Sequence, residues 1–402
     1  MKRILAVAQS GGPTAVINAS LVGMINEARQ HQCFTGIYGL VHGIEGGLNE
    51  EFIDLTREDE GTLRRLLRTP ASALGSSRYK VQDEDYERLI HVFRAHEIRY
   101  FTQIGGNGSM YVCHQVAQIA QHMGYELQVI GVPKTIDNDL AGTDHAPGYG
   151  SAARFLAIAT RDVGRDLEAM ATYEDVMILE TLGRDAGWLA AASALLKKHD
   201  DEAPHLIYVP EIAFDEARFL EDVQRVHSRL GRVFVVIGEG IRDTNGSFVA
   251  QSNAPTDTLG RVVYALSTGA SNELAVKVRQ HLGLQVRLLR PGLIGRDLSA
   301  CVSPVDRQEA TLVGTAAAQY HANGLSHYMV TLERLETPSS YSSSIGRISL
   351  AEISGQEKLL PRHYMNAAGN MVTPAFYAYA LPLIGNIARL GRLQNVRVAK
   401  RF

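Results

Sequence analysis

A short apolar strand that stops at a polar or glycine-rich turn, with a helix after it, recurs along the N-terminal part of this chain. Ile4–Gln9 precedes SGG, IRYFTQI precedes GGNGS, and LQVIGVP precedes KTIDND. Strands alternating with helices specify an α/β layer structure with a mainly parallel sheet. In such sheets ligands bind outside the carboxyl ends of the strands, where all three of these turns fall.

The second half repeats the alternation. VMILETL leads into GRDAGWLAAASALL, HLIYVPE precedes the helical stretch FDEARFLEDVQRVHSRL, and RVFVVIGEG precedes a helix expected over about Asp257 to Leu282. QVRLLRPG reads as a further strand and residues 307 to 324 as another helix. The stretch from Met329 to about Met365 shows no regular pattern, and LGRLQNVRVAKRF reads as a closing strand with solvated charges. The fold expected is α/β, with two Rossmann-like three-layer domains and a cleft between them. Residues 1–144 plus about 295–365 are assigned to one domain, and 145–294 plus about 366–402 to the other.

Composition narrows the function. The 40 basic and 43 acidic residues leave a net charge of −3, which disfavours a general nucleic-acid binder. The three cysteines have neither finger nor CxxC spacing, so a secreted disulfide scaffold is not expected and the cytoplasm is the default location. MKRILAVAQSGG reads as a strand rather than a signal peptide, and no long apolar run predicts a membrane span. No P-loop, GxGxxG, GxSxG or HExxH pattern occurs. The fourteen histidines, His42, His114, His145 and His205 among them, read as surface, core-tip or loop residues, and Trp188 as a packing group.

Two of the turns are phosphate-friendly. Gly11 and Gly12 let the backbone approach an anion, as do Asn107, Gly108 and Ser109 at a helix start. PKTIDND adds charge. In an extended loop Asp137 and Asp139 project to the same side, suited to proton removal from a hydroxyl and to magnesium, while Lys134 neutralises phosphoryl oxygens. Arg78 in LGSSR, Arg184 in TLGRDAG, Glu239 in VVIGEG, and Arg287 and Arg296 around an apolar loop are further candidates.

Taken together and in order, SGGPTAVINA, LGSSR, GGNGS, PKTIDNDL, LGRDAG, VVIGEG and LIGR…SPVDR resemble the phosphofructokinase family over most of the chain. The resemblance implies a 6-phosphofructokinase that transfers a phosphoryl group to the 1-hydroxyl of fructose 6-phosphate. It places Asp137 as the base, with Lys134 and Arg78 as catalytic partners. Gly11, Arg78, Asn107, Gly108 and Ser109 would hold the donor. Thr135, Asp137, Asp139, Leu182, Gly183, Arg184, Glu239, Arg287, Leu293 and Arg296 would hold the sugar phosphate. Mg2+ would sit near Asn107 and Asp137, and the active form would be a homodimer or homotetramer.

There are departures from the family pattern. Asn107 stands where an aspartate is usual, Leu182 replaces a methionine, and Asp175 and Leu293 occupy specificity positions. Donor cues conflict: Gly108 removes a barrier to ATP, whereas Lys134 and the SGGPTAVINAS opening point to pyrophosphate. The expected donor is ATP, with pyrophosphate as the alternative. Another sugar phosphate as acceptor and a noncatalytic ligand sensor are the rival readings.

Overall fold

Eleven strands divide between two sheets in the computed structural model, which describes residues 3–77, 79–250, 269–335, 341–394, 396 and 398–401. The larger sheet contains β1 (Ile4–Gln9), β2 (Gly36–Leu40), β3 (Phe52–Asp54), β4 (Ile98–Gly105), β5 (Gln128–Pro133), β10 (Tyr328–Leu335) and β11 (Ser342–Ser349), in the order β11-β10-β5-β4-β1-β2-β3. Its interior is parallel, and β3 and β11 close the two edges as antiparallel strands. The smaller sheet contains β6 (Val176–Thr181), β7 (Leu206–Tyr208), β8 (Val233–Gly238) and β9 (Val286–Leu289), all parallel, in the order β7-β8-β6-β9.

The strand sequences explain their placement. All six residues of β1 are buried, as are all six of β6 and all six of β8. A strand covered by helices on both faces needs a continuous apolar run rather than alternation. The helices Ile17–Ala28 and Pro304–Ala322 pack across the larger sheet at backbone contact. A Cβ at Gly23 would sit 2.2 Å from the Thr311 carbonyl oxygen, and one at Gly314 would sit 1.9 Å from that of Ser20. Only glycine permits that approach.

The order of the larger sheet reverses between β4 and β1. The turns after these two strands therefore splay apart and leave a crevice at their carboxyl ends. The GG and GGNGS turns flank that crevice. Among the described residues no helix is long and apolar enough to cross a membrane.

Several elements differ from the sequence reading. The stretch expected to lack regularity contains β10 and β11, paired over eight registers. Serine-rich β11 carries little apolar signal, and it is recruited as an edge strand by β10. The described part of the C-terminal segment forms no strand, and Leu393, Val396 and Val398 are exposed there. Of the helix expected over Asp257 to Leu282, residues 257–268 lie outside the described residues and Ala270–Leu282 is helical.

Candidate active site

The Gly11–Gly12 turn is stabilised from beneath. Gly11 has φ +76°, a left-handed conformation that glycine adopts without strain. Ser76 Oγ donates to its carbonyl at 2.6 Å, and the Lys134 ammonium donates to the Gly12 carbonyl at 2.7 Å. Lys134 follows β5 and is almost fully buried. Desolvation lowers its pKa to about 8, with Arg296 and Arg184 adding repulsion and Asp137 and Asp139 opposing it. A buried ammonium at a glycine turn is suited to an incoming polyanion, which restores the charge balance. Arg296 lies over the same turn: a Cβ on Gly12 would be 3.0 Å from its Nη1. The resemblance implies Arg296 around the sugar phosphate, and the fold brings its guanidinium to the glycine turn.

The second turn opens the helix Asn107–His122, whose free backbone N–H groups face the crevice end of β4. Asn107 Nδ2 donates to Asp139 Oδ2 at 2.8 Å and to the Asp139 carbonyl at 3.2 Å. This gives the departure at 107 a physical reason: an aspartate there would face a second carboxylate, whereas the amide makes a bond. Ser109 is buried beside it.

The loop 134–139 is not extended as expected. Asn138 takes φ +55°, so Asp137 and Asp139 do not project together. Asp139 turns inward to Asn107. Asp137 stays partly accessible, with its backbone N–H bonded to Thr135 Oγ1 at 3.0 Å and Arg184 Nε 4.0 Å from its Oδ2. Thr135 itself bridges to Gly148.

Arg184 comes from the other sheet, in the loop after β6. Its φ of +52° is costly for a non-glycine residue, about 1–3 kcal/mol. Glu239, at the end of β8, offsets that cost by accepting from the N–H groups of Gly183 (3.2 Å) and Arg184 (3.0 Å) with one oxygen. Burial raises the Glu239 pKa to about 8, and the charges of Asp137 and Glu180 add to the rise. A carboxyl that is protonated near neutrality both donates to and accepts from sugar hydroxyls. Beside this loop, a small, partly open recess is lined by Ile136, Thr181, Leu182, Leu189, Pro291 and Gly292. Leu182 lines this recess, and Gly183 follows it in the chain.

Other candidates lie elsewhere. Arg287 stands at the start of β9, ion-paired with Glu174, at the end of the sheet away from Glu239. Asp175, also at that end, pairs with His227 at 3.0 Å. Leu293 is largely exposed on the loop beyond Gly292. Arg78 lies outside the described residues. The arginine that does follow β9 at its carboxyl end is Arg290, 3.3 Å from the buried Glu180. The strand-end rule distinguishes Arg290 from Arg287, but two arginines three residues apart in sequence look alike by type alone.

His145, expected to be a surface, core-tip or loop residue, lies in a loop and is buried. Its Nδ1 lies 2.8 Å from Asp144 and its Nε2 2.7 Å from Glu309. Burial opposes its charge, yet the two carboxylates prevail and raise its pKa. Burial likewise opposes the charge on Asp144, but His145 and Arg334 hold its pKa down at about 2. The contribution of His145 to stability is therefore complete below its unfolded value and is lost as pH rises through the raised folded value. That of Asp144 is lost as pH falls from its unfolded value toward about 2. His145→Gln is expected to cost about 3–5 kcal/mol near pH 6. Thermal melts should show the gap to wild type narrowing as the pH is raised; a gap independent of pH would assign His145 to packing alone.

A glycine turn over a buried ammonium, a helix start, an accessible carboxylate and an apolar recess make up the machinery of an α/β phosphotransferase acting between an anionic donor and a hydroxyl. A phosphofructokinase family profile matches residues 4–321, and the chain belongs to that family. It is 40% identical to the pyrophosphate–fructose 6-phosphate 1-phosphotransferase of Xanthomonas campestris pv. campestris, over 99% of this chain and 98% of that one. The sulfofructose kinase of Alkalicoccus urumqiensis is 37% identical, over 90% of this chain and 91% of the relative. The crystal structure of the pyrophosphate-dependent phosphofructokinase from Marinobacter aquaeolei superposes with a TM-score of 0.86 at 37% identity, covering 100% of this chain and 98% of that one.

These relatives correct the expectation of ATP as donor. Gly108 removes an obstacle to a nucleotide, but the lack of an obstacle builds no nucleoside site. Lys134, which pointed the other way, bonds to the Gly12 carbonyl at the Gly11–Gly12 turn.

Proposed function

We propose that this enzyme transfers a phosphoryl group from pyrophosphate to the 1-hydroxyl of fructose 6-phosphate, giving fructose 1,6-bisphosphate and orthophosphate. The observation that carries this reading is the Lys134 ammonium, buried and bonded to the Gly12 carbonyl, in a chain 37–40% identical to two pyrophosphate-dependent enzymes over nearly its whole length. A compact donor with no base or ribose needs charge compensation at one turn, and Lys134 and Arg296 supply it. Asp137 takes the proton of the 1-hydroxyl as that oxygen attacks the near phosphorus. The bridging P–O bond breaks in line, and orthophosphate leaves toward Lys134. Arg184 stands beside the attacking oxygen, and Glu239 and the recess along Leu182 receive the sugar. The larger sheet's lobe would carry the donor and the smaller one's the sugar phosphate. The active form would be a homodimer or homotetramer.

Among the described residues no cluster of three or more His, Cys, Asp or Glu forms a metal cage. The accessible Asp137 carboxylate and the Asn107 amide oxygen are hard donors. They fit magnesium, which is held by one or two carboxylates together with substrate phosphates. Asp137 and Asn107 would hold it. When bound, it neutralises and orients the donor oxygens.

The likeness to a sulfofructose kinase supports a second acceptor reading: the same transfer to a sugar bearing another anionic group at carbon 6. A matrix of donors and acceptors with purified protein and magnesium tests both. Turnover of fructose 6-phosphate with pyrophosphate is expected to be fastest. A sulfonated sugar preferred by more than about tenfold in kcat/KM, or no turnover of fructose 6-phosphate with pyrophosphate, overturns the first reading.

A further inference from the structure

Four residues after the larger sheet, 357–360, cross from one lobe to the other and bond to both halves of the site. On the first side, Glu357 pairs with Leu140 in an isolated antiparallel bridge, and the Lys358 N–H donates to the Asp139 carbonyl at 2.8 Å. On the second side, the Leu360 N–H donates to Glu211 Oε1 at 2.7 Å, and that same oxygen accepts from the Gly187 N–H at 2.8 Å. Leu360 is buried in the core of the smaller sheet's lobe, and Leu140 in that of the larger. Asp139 is two residues from the proposed base, and Gly187 is three from Arg184. The segment therefore joins the two loops that must meet at the transferring phosphoryl group.

Lys358 locks this crossing. Its ammonium donates to the carbonyls of Asp144 (2.8 Å) and Thr143 (3.1 Å) and to Asn138 Oδ1 (3.4 Å), so each of its three N–H bonds has an acceptor. Asn138 is the residue whose left-handed backbone separates Asp137 from Asp139. The same ammonium lies 5.3 Å from the ring centroid of Trp188, and the Trp188 indole N–H donates to the Lys358 carbonyl at 3.0 Å. One side chain thus fixes the conformation of the base-bearing loop and docks on the helix start of the opposite lobe.

We propose that segment 357–360 is a clasp across the cleft and that Lys358 is a positioning residue, which sets Asp137 against Arg184 without touching substrate. The proposal rests on the phosphotransfer reading of the site for its kinetic consequence, but not for its mechanical one. A rigid bond network on both sides of a reaction centre acts on geometry, and geometry acts on turnover rather than on affinity.

Lys358→Met keeps the stem against Trp188 and removes the charge and the three bonds. With pyrophosphate and fructose 6-phosphate it is expected to lower kcat about 100-fold while changing KM by less than about threefold. In hydrogen exchange, the amides of 137–140 and 184–188 should exchange faster together, in a protein that still melts cooperatively. Lys358→Arg keeps the charge and should recover part of kcat. Should the methionine variant not fold, the arginine variant decides alone: a planar fork in place of a tetrahedral ammonium should still lower kcat, by about tenfold. A folded variant with wild-type kcat, or with exchange altered on one side of the cleft only, overturns the clasp. Wild-type protein inactive toward both substrates overturns the reading of the site instead, and the exchange measurement then decides the clasp.

Discussion

Asp137→Asn is expected to lower kcat by about three orders of magnitude, with little change in the KM for the sugar phosphate. General-base catalysis contributes about 10²–10⁴-fold, and asparagine keeps the shape and the backbone hydrogen bond while losing the basicity. That bond runs from the Asp137 N–H to Thr135 Oγ1, so the substitution does not disturb the turn. Arg184 loses a charge at 4.0 Å, a weak and partly solvated pair whose contribution to stability is below about 1 kcal/mol. The variant should therefore fold as the parent does. A second consequence is local. The charge on Asp137 helps hold the Glu239 pKa at about 8, so neutralising it should bring the Glu239 titration downward. Continuous measurement of orthophosphate release gives the first result, and carbon-13 shifts of labelled glutamate give the second. A variant with a rate within tenfold of wild type would remove Asp137 from the role of base.

The chain announced its architecture through strand periodicity. Short continuous apolar runs such as ILAVA and VFVVI, closed by polar or glycine turns, read as strands of a sheet interior. β11 was hidden for the converse reason. SSSIGRIS has neither a continuous run nor clean alternation, and its pairing is imposed by β10 at a sheet edge. At the site, local turn chemistry was readable and long-range partners were not. The glycines at 11 and 12 and Lys134 are individually conspicuous, whereas their convergence depends on strand order, which puts β5 two places from β1.

The acidic pair shows the limit most clearly. The sequence TIDND suggests two carboxylates on one side, but a single left-handed residue, Asn138, sends them apart. Its conformation is stabilised by Lys358 and Tyr379, more than two hundred residues away in the chain. The burial of His145 has a cause of the same kind: nothing near it in sequence foretells Glu309, which together with Asp144 raises its pKa inside the protein.

Lys134→Met carries the other large effect, and it separates catalysis from stability. Removing one preorganised charge from a transferring phosphoryl group costs about 10²–10³-fold in kcat. A desolvated ammonium is also a liability to the fold, and replacing a buried charge with an apolar side chain of similar length is often neutral or stabilising. The variant should therefore melt no lower than wild type while losing nearly all turnover, a pairing that general damage to the fold does not produce. The pH profile gives an independent sign. In the free enzyme the Lys134 pKa is lowered to about 8, so the charged form is lost, and kcat/KM should fall, as pH rises through that value. Bound pyrophosphate favours the ammonium, so the limb in kcat should lie at higher pH than the limb in kcat/KM. In Lys134→Met the loss of activity that Lys134 contributes near pH 8 should disappear, leaving only that of Glu239, whose pKa is also raised to about 8. A wild-type profile of kcat/KM that is flat to pH 10 would mean that Lys134 stays protonated throughout or plays no part in transfer. Retained activity in the methionine variant would decide for the second.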